Sequence, residues 1–210
     1  MAQESVLQHE IFIVDDDPVA LDLLSTVFRL EGFDVASFLE GASFVAAAKE
    51  RVPACILLDV NLPGVSGLQI LQDLKAQTYP APIFIISGQR DIPTAVSAIK
   101  NGALDFIEKP FDTDAVVARV REAIAAWARR GETDGQAPGL VPQFPGRDLL
   151  TPREREVLGQ IAGGASNKEA GRQLGISPRT IEVHRARIME KLGAKNAADL
   201  VRIVLSEGRG

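Results

Sequence analysis

The chain has 210 residues, a length that fits one or two domains at ~100–200 residues each. Its 46% apolar and 24% charged residues are the ordinary balance of a globular protein. No apolar run approaches the ~20 residues a membrane helix needs, and the single cysteine, Cys55, excludes an intramolecular disulfide. The first ten residues, MAQESVLQHE, lack the basic and apolar blocks of a signal peptide, so a soluble cytoplasmic protein is expected. The net charge of −5 is unevenly shared: residues 1–146 carry −9 and residues 147–210 carry +4. An acidic first part and a basic second part predict two domains with different partners, the second compatible with nucleic acid.

Glu10–Val14 has a strand pattern and runs into Asp15-Asp16-Asp17. Pro18 then suits a first helical turn, and Val19, Leu23, Leu24, Val27, Phe28 and Leu30 predict an apolar helix face that Gly32 stops. A second strand, Asp34–Phe38, precedes an alanine-rich helix, Gly41–Arg51. The third strand, Ala54–Leu58, is short and apolar, and ends abruptly at Asp59 and the loop Val60-Asn61-Leu62-Pro63-Gly64. Cys55 lies in that buried run, where packing is its expected role. A helix over Gly67–Gln77 follows, with Leu68, Leu71 and Leu74 on one face. Next come a strand over Pro82–Ile86 ending at Ser87-Gly88, a helix over Pro93–Asn101, a strand over Ala103–Ile107 ending at Glu108-Lys109-Pro110, and an amphipathic helix over Thr113–Arg130.

Five strands alternating with five helices predict a doubly wound α/β domain with a parallel sheet covered on both faces. Its right-handed crossovers would place a ligand site at the carboxyl ends of the strands. Asp15, Asp16, Asp59, Ser87 and Lys109 all fall on that rim. Taken singly, Asp59 fits a loop or cap aspartate, and the acidic triplet fits a solvated loop. Taken together, carboxylates suited to Mg²⁺, a lysine suited to phosphate oxygens and a hydroxyl form a phosphoryl-transfer centre in which a carboxylate can hold phosphorus as an aspartyl phosphate.

IVDDD, LLDVNLPGVSG, ISG and DFIEKPF, in this order, resemble the receiver domain of two-component response regulators, a CheY-like (βα)₅ fold, over about residues 10–125. The resemblance implies that Asp59 is the phosphoacceptor, with self-catalysed phosphotransfer and autodephosphorylation at most. It further implies that Asp15 and Asp16 are Mg²⁺ ligands together with Asp59 and the Asn61 backbone carbonyl. Ser87 and Phe106 match the switch pair, and Lys109 matches the phosphate-side lysine. Phe106 also fits static core packing. The family pattern makes Lys109-Pro110 a candidate cis peptide.

Residues 131–148, GETDGQAPGLVPQFPGRD, hold seven Gly or Pro and read as a linker, so that 126–146 covers the helix end and the spacer. Beyond it, Thr151 and Glu154 form a capping-box pattern, with Pro152 at the first helical position of a helix running to about Ala162. A helix over Asn167–Leu174, a turn at Gly175-Ile176-Ser177, a helix from Pro178 to Leu192 and a last helix over Ala197–Leu205 complete a small all-α domain, 147–210. Leu200, Ile203 and Val204 are the expected core of the last helix.

LTPREREVL, GGASNKEAGRQLGIS and RTIEVHRARIMEKLGA resemble the LuxR/NarL-type helix-turn-helix, with the motif at about 166–185. The whole chain is similar to FixJ-like response regulators, and SGQRDIPTAVSAIKNGALDFIEKPF favours that branch over the NarL branch. In such a domain the third helix enters the major groove. Arg179, Glu182, Val183, Ala186 and Arg187 are expected on its exposed face, with Ile181, Ile188 and Leu192 at core spacing. The resemblance puts Glu182, Val183 and Ala186 where bases are read, Arg185 and Lys191 at phosphates or the groove edge, and Asn167, Lys168 and Thr180 where phosphates position the domain. His184 is expected to be structural or on the phosphate side. Without the motif, these cations fit an ordinary solvated helix face. Two departures stand out: Ala170-Gly171 replaces the usual Ile-Ala, which costs helix propensity but lets neighbours approach, and Gln89 replaces a common His.

The expected function is a transcriptional response regulator. A sensor histidine kinase would phosphorylate Asp59 with Mg²⁺, and the receiver would dimerise through the Pro93–Ile107 face. The pair of C-terminal domains would then bind double-stranded DNA and contact RNA polymerase. Two alternatives remain at this stage: a phosphorylation-independent DNA-binding regulator with an uncoupled receiver, and an enzyme with an aspartyl intermediate. The second commonly needs a carboxylate two residues past the nucleophile, where Asn61 stands.

Overall fold

The computed structural model describes residues 9–88, 92–132, 144 and 146–205; Gln89 and most of the expected linker lie outside the described residues. The chain forms two compact units, Met1–Ile124 and Ala125–Gly210.

In the first unit, strands β1 (Glu10–Val14), β2 (Asp34–Phe38), β3 (Cys55–Asp59), β4 (Ile83–Ser87) and β5 (Asp105–Glu108) alternate with helices α1 (Pro18–Leu30), α2 (Gly41–Glu50), α3 (Gly67–Asp73), α4 (Ile92–Lys100) and α5 (Thr113–Glu132), whose residues past Ile124 fall in the second unit. All strands are parallel, in the order β2-β1-β3-β4-β5. This is the expected doubly wound sheet. β3 and β4 are buried throughout, as strands covered on both faces must be. Helix α3 touches both α2 and α4, so these three share one face. On the α1 side, Arg121 of α5 pairs with Glu31 at 2.8 Å and lies over the Phe33 ring.

The differences from expectation have local causes. α3 stops at Asp73 rather than Gln77, and Lys75 just beyond it has φ of 51°, which a helix cannot continue through. α1 buries Leu21, Leu24, Ser25 and Phe28, whereas Val19 (74% exposed), Leu23 and Leu30 (82%) point outward. Residues 19, 23 and 30 are turned away from 21, 24 and 28 around the helix, so the expected single face is in fact two. The Lys109–Pro110 peptide is cis.

The second unit holds a 3₁₀ turn at Arg147–Leu149, at the start of the expected all-α domain, and then α6 (Pro152–Ala162), α7 (Asn167–Leu174), α8 (Pro178–Leu192) and α9 (Ala197–Leu205). Thr151–Glu154 and Ser166–Glu169 are both complete capping boxes, and Ser177 caps α8. Leu150, Val157, Leu158, Ala170, Ile181, Ile188, Leu200 and Val204 form the core. Leu192 and Ile203, expected in it, are only half-buried; Ile203 lies to one side of the stripe that Leu200 and Val204 make on α9.

Candidate functional site

The strand order places the rim. β1 and β3 are neighbours, with Val14 beside Leu58, so Asp15 and Asp59 emerge side by side. Ser87 pairs with Glu108 at the end of the sheet, and the Lys109 N–H donates to the Ser87 carbonyl at 2.7 Å. The Lys109 ammonium bridges the carboxylates, at 2.7 Å from Asp15 Oδ2 and 2.8 Å from Asp59 Oδ1. Each carboxylate also accepts a loop amide two residues on: Asp15 Oδ1 from Asp17 N at 3.0 Å, and Asp59 Oδ2 from Asn61 N at 2.6 Å.

Burial is the strongest influence on Asp15 and raises its pKa despite Lys109 and the Asp17 amide. Burial acts to lower the pKa of Lys109, but the hydrogen bonds and charges of both aspartates outweigh it and raise the value. Asp16 and Asn61 are exposed beside this pair, while the Ser87 hydroxyl is buried. Among the described residues, no group of three or more His, Cys, Asp or Glu side chains is gathered into a metal cage. Two converging carboxylates, a third at the surface and a loop carbonyl are a small set of hard oxygens. That set fits Mg²⁺, which keeps several waters and takes few protein ligands.

Two supports were not read from the sequence pattern. Gly67, at the start of α3, lies so close to the rim that a Cβ there would be 2.5 Å from the Asp59 carbonyl oxygen. Arg119 of α5 reaches back to β5, donating to buried Asp105 Oδ2 at 2.6 Å and to the Phe106 carbonyl at 2.7 Å. The half-buried Phe106 ring therefore sits on a backbone fastened to α5.

In the second unit, α7, the turn at Gly175 (φ 66°) and α8 form the helix-turn-helix. Gly171 is explained by the turn: its absent Cβ would be 2.6 Å from the Ile176 carbonyl oxygen, while its own carbonyl accepts Ile176 N at 2.9 Å. Arg153 of α6 donates to the Leu174 carbonyl at 2.8 Å, satisfying one of the open acceptors at the end of α7.

Lys168, Arg179, Glu182 and Ala186 are exposed, and Asn167, Val183 and Arg185 are half-buried. Three expectations are corrected. Thr180 is fully buried, with its hydroxyl 2.9 Å from Ser177 Oγ, so its side chain belongs to the α8 cap and not to the surface. Lys191 and Arg187 turn inward to the buried Glu154 carboxylate, at 2.7 and 3.5 Å. Both side chains stay partly exposed, but each charge has a partner inside the domain. Burial works to raise the Glu154 pKa, but the Lys191 hydrogen bond, the Thr151 amide and the charge of Arg187 together hold it below the usual value. His184 is buried with neither ring nitrogen hydrogen-bonded; burial first, then the Arg187 charge, lowers its pKa to about 4.

Comparison with known proteins decides the family. Residues 11–121 match the response regulator receiver domain, and residues 148–204 match the bacterial regulatory proteins of the luxR family. The chain is 38% identical to the transcriptional regulatory protein FixJ of Bradyrhizobium diazoefficiens, over 94% of this chain and 95% of that one. The chain belongs to the FixJ-like response regulators. It is also 37% identical to the response regulator protein TmoT of Ectopseudomonas mendocina, over 96% of this chain and 88% of TmoT. Among solved structures, full-length FixJ from B. japonicum aligns with a TM-score of 0.58 at 37% identity, covering 95% of this chain and 97% of that one. The beryllofluoride-activated receiver domain dimer of NtrC4 aligns at 0.53 and 27% identity, covering 57% and 98%. This response regulator therefore couples a receiver to a LuxR-type DNA-binding domain in a two-component system. Response regulators of this kind are generally transcription factors and not enzymes, and their receivers typically bind Mg²⁺ at the acidic site.

Proposed function

We propose that Asp59 accepts a phosphoryl group from a sensor histidine kinase and that this event controls DNA binding by the C-terminal domain. The observation that carries the reading is the Lys109 ammonium held between Asp15 and Asp59 at the strand ends. An Asp59 oxygen attacks phosphorus, the bond to the kinase imidazole breaks, and that nitrogen keeps the electron pair and takes a proton. Lys109 stays paired with the new anion, and Ser87 turns its hydroxyl toward a phosphoryl oxygen. Asp15, Asp16, Asp59 and the Asn61 carbonyl would hold Mg²⁺, whose charge offsets the crowding of anions.

The exposed Val19 and Leu23, in the first turns of α1 just past Asp17, give the donor an apolar patch beside the rim. Movement of Ser87 frees space for Phe106 to turn inward and remodels the Pro93–Ile107 face. A second copy of the receiver then pairs there, as the activated NtrC4 receiver is itself a dimer. Two C-terminal domains (147–210), joined to the receivers (10–125) by the 126–146 segment, bind half-sites about one helical turn apart in the cytoplasm and meet RNA polymerase. Among the described residues, no helix is long and apolar enough to cross a membrane.

Incubation with Mg²⁺ and a radiolabelled small phosphodonor is expected to label the wild type and not Asp59→Asn. Equal labelling of both, or of neither, refutes the assignment. DNA binding by Asp59→Ala that equals the activated wild type would instead show an uncoupled receiver.

A further inference from the structure

Glu182 and Arg185 stand three residues apart on the same side of α8, opposite charges at a spacing where helix side chains meet. Left to themselves, such a pair closes into an ion pair, and an acceptor and a donor are lost from the surface together. Here each meets Asn167, at the first position of α7. The Asn167 amide nitrogen donates to Glu182 Oε1 at 3.3 Å, and its oxygen accepts from Arg185 Nη1 at 2.7 Å. The amide cannot be reversed, because a guanidinium only donates and a carboxylate only accepts. One neutral side chain on the neighbouring helix thus fixes the position of both charges.

We propose that Asn167 is a specificity-determining residue that acts through Glu182, holding this carboxylate open toward the bases instead of contacting phosphate itself. The proposal rests on the reading that α8 enters the major groove. A carboxylate there accepts from an exocyclic amine, with cytosine N4 its usual partner. Glu182 is exposed and keeps its second oxygen for that contact, while Arg185, with further N–H groups, remains a donor to the backbone. Held in advance, Glu182 loses less rotamer freedom on binding and rejects bases that offer an acceptor at that position. This assigns Asn167 a different task from the phosphate contact that the family resemblance implies.

The test is a two-residue cycle in the full-length protein with Mg²⁺ and beryllofluoride: wild type, Asn167→Ala, Glu182→Ala and the double variant. Each is used to select from randomised duplexes, followed by affinity measurements on all four bases at each enriched position. The expected result is that Asn167→Ala weakens discrimination at one base position on the order of tenfold, the scale of one side-chain–base pair, and leaves the other positions alone. In the Glu182→Ala background the same change should have no further effect on that preference. Uniform weakening on every sequence, additive with Glu182→Ala, is the signature of a phosphate contact and overturns the proposal. Glu182 is on the surface, so its variant keeps the comparison valid even if Asn167→Ala loosens α7. If Glu182→Ala alone changes no base preference, Glu182 is not a reader and the proposal fails. If the wild type enriches no sequence at all, the groove-binding reading fails first and the proposal with it.

Discussion

The buried imidazole of His184 makes the stability of the second unit depend on pH. In the unfolded chain a histidine titrates at its ordinary 6.5; in the fold His184 titrates at about 4, because burial and then Arg187 and Lys191 oppose its charge more than Glu154 favours it. Between these values the unfolded state binds the extra proton, so stability rises with pH across this window and falls as the solution is acidified below 6.5. A difference of about 2.5 units, at 1.36 kcal/mol each, amounts to roughly 3 kcal/mol lost by about pH 4. For a unit of this size that is about 15 °C of melting temperature. Calorimetry of the whole protein from about pH 7 to 4.5 follows this transition. His184→Leu replaces two unpaired ring nitrogens by an apolar side chain and should remove most of the slope. Parallel pH curves for the wild type and His184→Leu would show that the imidazole does not titrate as its burial requires.

Two further changes test close backbone approaches. Gly171→Ala should gain helix propensity yet destabilise the second unit by about 1–3 kcal/mol, because its Cβ would lie 2.6 Å from the Ile176 carbonyl oxygen in the turn. Urea titration decides it, and a more stable variant would mean that the turn yields freely. Gly67→Ala would put a Cβ 2.5 Å from the Asp59 carbonyl oxygen and 3.0 Å from Val60 Cα. The displaced Asp59 should accept phosphate from a small donor about tenfold to a hundredfold more slowly, and an unchanged rate would free Gly67 of any such role.

The sheet, its strand ends and the helix-turn-helix were legible because they rest on local signals: short apolar runs, capping boxes, glycines after helices. The gathering of Asp15, Asp59 and Lys109 on one rim was also legible, since strands of a parallel sheet all deliver their ends to the same side. The partners of long charged side chains were not. Arg187 and Lys191 have the spacing of an exposed face, yet both turn to Glu154, a residue that the sequence presents only as half of a capping box. Nothing local to α8 reveals a buried carboxylate on α6. Thr180 misled in the same way: a hydroxyl in the first turn suggests a phosphate contact, and its burial depends on how α8 lies against α6 and α7. α1 shows the converse, since counting apolar residues along a helix does not say that they fall on two sides of it.

Lys109 reaches residues 94 and 50 positions earlier in the chain. A polypeptide still being synthesised, or one truncated before β5, would have every acidic residue of the rim and still lack the cation that holds Asp15 and Asp59 together. On the proposed reading of Asp59 as phosphoacceptor, competence arrives late in the chain, with the last strand of the sheet.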